Sequence, residues 1–215
     1  MPTIPPENDP FPASEFDDWA LQYDQDVRDQ GFPFTGYRKA LAETVRLAEA
    51  RAGMRILDLG IGTGNLAELF LAPGCELWGT DFSGKMIELA QAKLPQARLF
   101  LHDLRQPFPA ALLQRFERIV SAYTFHHFDL PEKIALIKRI MNELLTADGR
   151  LVIADISFPD RRALDAVRLA SGDQWEEEAY WIVAETTLPV LREIQIDFAY
   201  AQISDCAGIY VLSRW

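Results

Sequence analysis

A chain of 215 residues and 24.4 kDa has the size of one domain with a modest appendage, and 49% hydrophobic with 25% charged residues excludes a disordered chain. The net charge of −11 makes it a poor ligand for nucleic acid or an anionic membrane, both of which reward clustered Lys and Arg. Residues 1–35 carry eight acidic side chains against Arg28 alone, so most of the excess sits at the start and the body is nearly neutral.

The first dozen residues contain five prolines, and residues 1–13 are expected to be extended and mobile. They lack the basic start and apolar run of a signal peptide, and no stretch of the chain approaches the ~18 apolar residues of a spanning helix. The reading is a cytoplasmic protein without a membrane segment. Cys75 and Cys206 are too few and too far apart for a disulfide framework, and no spacing suggests a metal site.

Phe16, Trp19, Ala20, Tyr23 and Val27 recur at helical spacing and predict an acidic helix over 14–29. Glycines and a proline make 31–36 a loop, and helical periodicity resumes over 37–52 with Gly53 as the stop. From Met54 the pattern alternates: a strand at 55–59, a helix from Asn65 to Ala72, a strand at 76–80, a helix capped by Ser83 and running to Leu94, and strands at 97–101 and 118–122. A helix over 130–145 and a strand over 150–156 follow. Beyond Asp160 the pattern predicts a helix to Ala170, an aromatic helix over 175–185, an alternating strand through Ile194, Ile196, Phe198 and Tyr200, and a last strand at 209–213. The short linker 204–208 fits a hairpin, so the sheet is expected to end antiparallel. This order predicts an α/β, doubly wound, mostly parallel sheet with helices on both faces.

Ligands of such sheets bind beyond the carboxyl ends of the strands, where strand order reverses. Asp58-Leu-Gly-Ile-Gly-Thr-Gly64 lies at one such end. Gly60 can make the sharp turn, while Gly62 and Gly64 let a ligand approach bare backbone. Asp81 follows 21 residues after Gly60 and can accept both hydroxyls of a ribose; Asp103 ends the next strand. In the dinucleotide fingerprint the position of Asn65 would be a small residue, so nucleoside binding is better supported than pyrophosphate binding. His126 and His127 follow the fourth strand, on the ligand side, with a side-chain pKa range suited to a base. Trp19 and Tyr23 offer rings to a cation, and Trp175, Tyr180 and Trp181 form an aromatic cluster suited either to a pocket or to the core. Glu176, Glu177 and Glu178 read as a solvated face, and Asp155 has no evident partner in the sequence.

Five motifs, Asp58–Gly64, Thr80-Asp81, His102-Asp103-Leu104, Ser121–Phe128 and Gly149–Asp155, resemble in order those of class I S-adenosylmethionine-dependent methyltransferases. Residues 16–24 and 202–212 resemble a branch of small, largely uncharacterised bacterial members. The resemblance implies a seven-stranded Rossmann-like sheet with an antiparallel last strand over 54–215, with helices of 14–53 covering the cofactor cleft. It implies that Asp58 and the backbone of Gly60, Ile61, Gly62 and Gly64 hold the methionyl part of S-adenosylmethionine, and that Asp81 takes the ribose. Phe82 and Met86 would flank the adenine, Asp103 and Leu104 would meet its edge, and Ser121, Ala122 and Tyr123 would line the methionyl end. Tyr23 would cover the cofactor. His126, His127 and Tyr123 are the candidate catalytic residues, for transfer of a methyl group to a small-molecule acceptor (EC 2.1.1.-) by a monomer or homodimer. The competing readings are an NAD-type oxidoreductase, which wants the same glycines and ribose acid, and a non-catalytic S-adenosylmethionine-binding protein.

Overall fold

The computed structural model describes residues 11–28, 31–175 and 181–214. Seven strands form one path in the order β3 (Arg98–Leu101), β2 (Glu76–Asp81), β1 (Arg55–Leu59), β4 (Phe116–Ala122), β5 (Leu145–Phe158), β8 (Ala207–Arg214), β7 (Ile196–Gln202), and a two-residue strand β6 (Ile182–Val183) pairs with the end of β5. The pairings from β3 through β5 are parallel; β8 runs antiparallel to both β5 and β7. The expected doubly wound sheet with one reversed strand is therefore present.

Both faces of the sheet are covered because its strands carry apolar side chains on both sides. In β1, Leu57 and Leu59 join a core with Ile134 and Ile137 of α5 (Leu130–Arg139) and Leu191 of α7 (Ala184–Glu193). Ile56, on the opposite face, joins the core built on α2 (Tyr37–Ala48), α3 (Asn65–Glu68), α4 (Gly84–Lys93) and α6 (Arg161–Ser171). Asp58 shares the side of Ile56, as the two-residue strand period requires. Strand order reverses between β1 and β4, and the cleft at their carboxyl ends is roofed by α1 (Ala13–Asp26).

Two acids fasten that roof. Asp17 accepts from Ser83 Oγ (2.5 Å) and from the Lys85 N–H (3.0 Å), at the N-terminus of α4. There the free N–H groups of the helix favour negative charge, and these bonds lower the Asp17 pKa. Asp24 accepts from Thr63 Oγ1 (2.6 Å), Asn65 Nδ2 (2.9 Å) and Lys93 Nζ (3.1 Å). Burial alone would raise the Asp24 pKa; the three donors outweigh it and hold the value below the ordinary carboxylate range.

Several boundaries differ from the sequence reading. The helix from Asn65 is α-helical only to Glu68 and continues as turns. The helix over 130–145 becomes a π-helical turn at Ile140–Leu144. Of the aromatic helix over 175–185, residues 176–180, including Tyr180 and the three glutamates, lie outside the described residues. Ile182 and Val183 instead extend along β5, and the helix of this region starts at Ala184 and contains Pro189. Ile194 closes that helix, so β7 begins only at Ile196. The mobile segment read over 1–13 falls mostly outside the described residues; at its end Phe11 is buried and Ala13 already begins α1. Among the described residues no helix is long and apolar enough to cross a membrane.

Candidate active site

A cavity of about 650 Å³ opens at the carboxyl ends of β1, β2 and β4. Its floor is the glycine turn. Gly60 has φ +72° and donates to the Thr80 carbonyl (2.9 Å), which folds the turn back over β2. Gly62 has φ +53°, and a Cβ built on it would meet nothing within 4 Å, so its backbone faces open space. Gly64 behaves otherwise: a Cβ there would stand 2.9 Å from Leu94 Cδ1. It is small for packing against α4, the task the dinucleotide fingerprint gives to its third glycine, and it does not border the cavity.

Asp81 stands at the end of β2 with 7% exposure. Its Oδ2 accepts from the Gly62 N–H (2.8 Å) and its Oδ1 from the Ser83 N–H (2.9 Å). Burial outweighs these bonds and pushes its pKa up to about 6. Asp58 is buried too, and among the described residues neither of its oxygens has a hydrogen-bond partner. Burial, then the neighbouring charge of Asp81, drives its pKa well above the ordinary value, and the backbone N–H of Ala67 opposes this only weakly. Asp58 borders a recess of about 20 Å³ beside the main cavity, together with Tyr23, Tyr37, Gly60, Ile61, Gly62, Asn65 and Ala122. A buried acid without a donor costs several kcal/mol if charged.

The walls are aromatic. Phe16, Trp19 and Tyr23 come from α1 and Phe34 from the loop before α2; Phe82, Met86, Asp103 and Leu104 line the end nearest β2 and β3. Phe82 meets Phe16 edge-on at 4.9 Å. Ala122, Tyr123, Thr124, His126, His127 and Phe128 also line the cavity. Tyr123 adopts φ +55°, a left-handed conformation that costs a non-glycine residue about 1 kcal/mol or more. Its hydroxyl is buried without a partner among the described residues, and burial raises its pKa well above 10, so it stays a neutral phenol. His127 packs against Phe11 (4.5 Å) and Phe16 (5.2 Å); burial, then His126, Arg105 and Lys133, lowers its pKa well below the usual value. His126 Nδ1 lies 2.7 Å from Asp155 Oδ1.

A family model described as a methyltransferase domain matches residues 56–149. An uncharacterized methyltransferase of Bacillus licheniformis is 36% identical over 155 residues, covering 70% of each chain. One from Oceanobacillus iheyensis is 31% identical over 206 residues, covering 90% of this chain and 93% of its own. The chain belongs to the methyltransferase family of these relatives. Among solved structures, magnesium protoporphyrin IX methyltransferase from Synechocystis, with S-adenosylmethionine bound, superposes with a TM-score of 0.68 at 18% identity, over 99% of this chain and 100% of that one. That likeness is one of fold.

In this methyltransferase the sequence-selected residues divide clearly. Tyr23, Gly60, Gly62, Asp81, Phe82, Met86, Asp103, Leu104, Ala122, Tyr123, His126 and His127 come together around the main cavity. Asp58 and Ile61 border the recess, though the Ile61 side chain is core, packed over Gly79. Ser121 reaches neither space: its Oγ donates to the Leu59 carbonyl (2.6 Å), tying β4 to β1. Trp181 lies behind His126, stacked at 5.7 Å, and Trp175 stacks on Phe32 at 5.6 Å, so this pair supports the wall rather than lining it. The sequence reading missed Phe11, Phe34 and Thr124 in the wall, and Thr63 and Asn65 as anchors of α1. It also missed Asp155, whose place after an apolar run, like that of Asp81, is the signal that marks it.

Proposed function

We propose that this methyltransferase binds S-adenosylmethionine across the glycine turn and transfers its methyl group to a small molecule held under α1. The observation that carries the reading is a single roofed cavity onto which Asp81, bare Gly62 and the His126–His127 pair all open. The residues fit the cofactor. Asp81 would accept the ribose hydroxyls, and Asp58, lacking a protein donor, suits the methionyl ammonium beside Gly62. Phe82, Met86, Asp103 and Leu104 would take the adenine. When bound, S-adenosylmethionine supplies an electrophilic methyl on a sulfonium.

The chain's own contribution is alignment and exclusion of water, which can carry much of a displacement reaction. The roof of Phe16, Trp19 and Tyr23 covers one side of the cavity, and aromatic faces favour a nearby cation. Ala122 and Tyr123 would border the reacting end, with the neutral Tyr123 hydroxyl as a donor. His126 or His127 would receive a proton if the acceptor must lose one. The concave, aromatic-lined site, on an acidic chain, favours a small apolar acceptor over nucleic acid. No observation favours the oxidoreductase or the non-catalytic reading.

Calorimetric titration with S-adenosylhomocysteine tests the assignment. Asp81→Ala is expected to lose more than about 1 kcal/mol of binding, because a charged acceptor of hydroxyl bonds is removed. Unchanged affinity in a folded variant refutes it. Formation of S-adenosylhomocysteine with members of a small-metabolite panel tests turnover.

A further inference from the structure

Asp155 is fully buried at the carboxyl end of β5, and its carboxylate is saturated with donors. Oδ2 accepts from the backbone N–H groups of Phe125 (2.6 Å), Thr124 (3.2 Å) and His126 (3.3 Å). Oδ1 accepts from the Ile156 N–H (2.7 Å) and faces His126 Nδ1 (2.7 Å). A carboxylate only accepts, so the facing ring nitrogen must carry the hydrogen. In a neutral imidazole the lone pair then lies on Nε2, at the opposite edge of the ring. The ring packs against His127 at 3.9 Å and Trp181 at 5.7 Å. His126 borders the cavity, and with its Nδ1 edge turned to Asp155 the Nε2 edge is the one left to meet a ligand there.

We propose that Asp155 is a positioning residue that fixes His126 with its hydrogen on Nδ1, so that Nε2 takes the proton of a hydroxyl acceptor carried on a flat apolar framework. This deepens the methyltransferase reading above and rests on it. A hydroxyl of phenol type, with a pKa near 10, is a weak nucleophile until a base removes its proton in the transition state. An amine attacks with its own lone pair, and a thiol with a pKa near 8.5 ionises readily, so neither needs this arrangement. In the step, the acceptor oxygen forms a bond to the methyl carbon as the carbon–sulfur bond breaks. The sulfur keeps the electron pair, giving S-adenosylhomocysteine, and the hydroxyl proton passes to Nε2 and later to solvent. The flat framework follows from the rings of Phe11, Phe16, Trp19, Phe34 and Phe128 that border the cavity.

Nitrogen-15 spectra of histidine-labelled protein test the tautomer without any acceptor, with His102→Gln and His127→Gln used to assign the three rings. The expected wild-type signal has hydrogen on Nδ1 of His126 and a bare Nε2. In Asp155→Asn the amide can donate to Nδ1, and the hydrogen is expected to move to Nε2, a change that a merely structural role would not produce. A wild-type ring with hydrogen on Nε2 overturns the proposal even if Asp155→Asn does not fold. S-adenosylhomocysteine is titrated in parallel: binding with the wrong tautomer overturns this inference alone, whereas absence of binding overturns the cofactor reading beneath it. Three probes of one shape, 1-naphthol, 1-naphthylamine and 1-naphthalenethiol, test the acceptor atom. Turnover of the naphthol that falls at least ~100-fold in His126→Gln supports the assignment. Equal turnover of the amine or thiol, a His126→Gln variant with unchanged turnover, or turnover of none of the three overturns it.

Discussion

If Asp81 holds the ribose as proposed, its raised pKa makes cofactor affinity a function of pH, with a sign and size that follow from its surroundings. Its folded value of about 6 lies above the ordinary carboxylate value because burial penalises the charge. At pH 7.5 the carboxylate is almost entirely charged and can accept both ribose hydroxyls; at pH 5.0 only about a tenth is charged. If the bound form requires the charged acid, affinity falls about tenfold over that range, or ~1.4 kcal/mol, as binding must then expel a proton. Asp58, also shifted upward, adds to the slope if it meets the ammonium. Calorimetry with S-adenosylhomocysteine at pH 5.0, 6.0 and 7.5 reads the effect directly. Asp81→Asn is expected to bind at least tenfold more weakly at pH 7.5, since one charged hydrogen bond is worth about 1.5–3 kcal/mol, and to lose its share of the slope. A flat wild-type profile, or an Asp81→Asn profile that keeps the wild-type slope, refutes the reasoning.

Asp24→Ala removes the shared acceptor of Thr63, Asn65 and Lys93 and is expected to loosen the docking of α1 by about 1–2 kcal/mol, allowing for its partial exposure. Hydrogen exchange over 13–26 should then rise about 5- to 30-fold with the sheet unaffected; unaltered exchange there shows that the acid is not the anchor. The two turn glycines should respond differently to alanine. At Gly62 the methyl group meets open space, so the variant is expected to fold with a loss of about 1–2 kcal/mol from its positive φ while cofactor binding weakens. At Gly60 the added carbon would stand 2.2 Å from Thr124 Oγ1, and thermal unfolding should show the larger loss. Equal stability of the two variants contradicts this reading of the turn.

The sheet was legible because its information is local. Short stretches rich in apolar residues and ending at Gly60, Asp81 and Asp103 recur along the chain, and the pattern that defines a strand lies within each stretch. What stayed hidden depends on partners far away in sequence. The charge of the first 35 residues was visible, but the donors that hold Asp24 come from Thr63, Asn65 and Lys93, 39 to 69 residues later. Asp155 looked like one polar residue in a core strand because the N–H groups and imidazole that saturate it lie 29 to 31 residues earlier, apart from its neighbour Ile156. The helix at Ala184–Glu193 escaped because Pro189 argues against a helix interior, and tertiary packing of Thr187 and Leu191 overrides that penalty. Gly64 shows the same limit from the other side: the sequence does not reveal that the side chain of Leu94 occupies the place a Cβ would take there.

The cleft uses one residue type in two electrostatic states. Asp17 and Asp24 have donors enough to lower their pKa values, so their contribution to stability is present above the ordinary carboxylate value and is lost only as pH falls through the folded values beneath it. Asp58 and Asp81 are buried with fewer donors than a charge demands, so their pKa values rise and the charged forms cost stability near neutral pH, a cost removed as pH falls through the raised values. The first pair holds the roof to α3 and α4 with bonds that need no ligand. The second pair lies beneath that roof, where hydroxyl or ammonium donors from a bound molecule would offset the burial cost. Stability spent at the floor is therefore recoverable only by a ligand with donors at both acids, and a ligand lacking either set forfeits that gain. On the proposed binding mode, Asp81 would select for a ribose and Asp58 for the ammonium that other nucleosides lack, whereas the apolar contacts of the aromatic walls reward any flat molecule of suitable size.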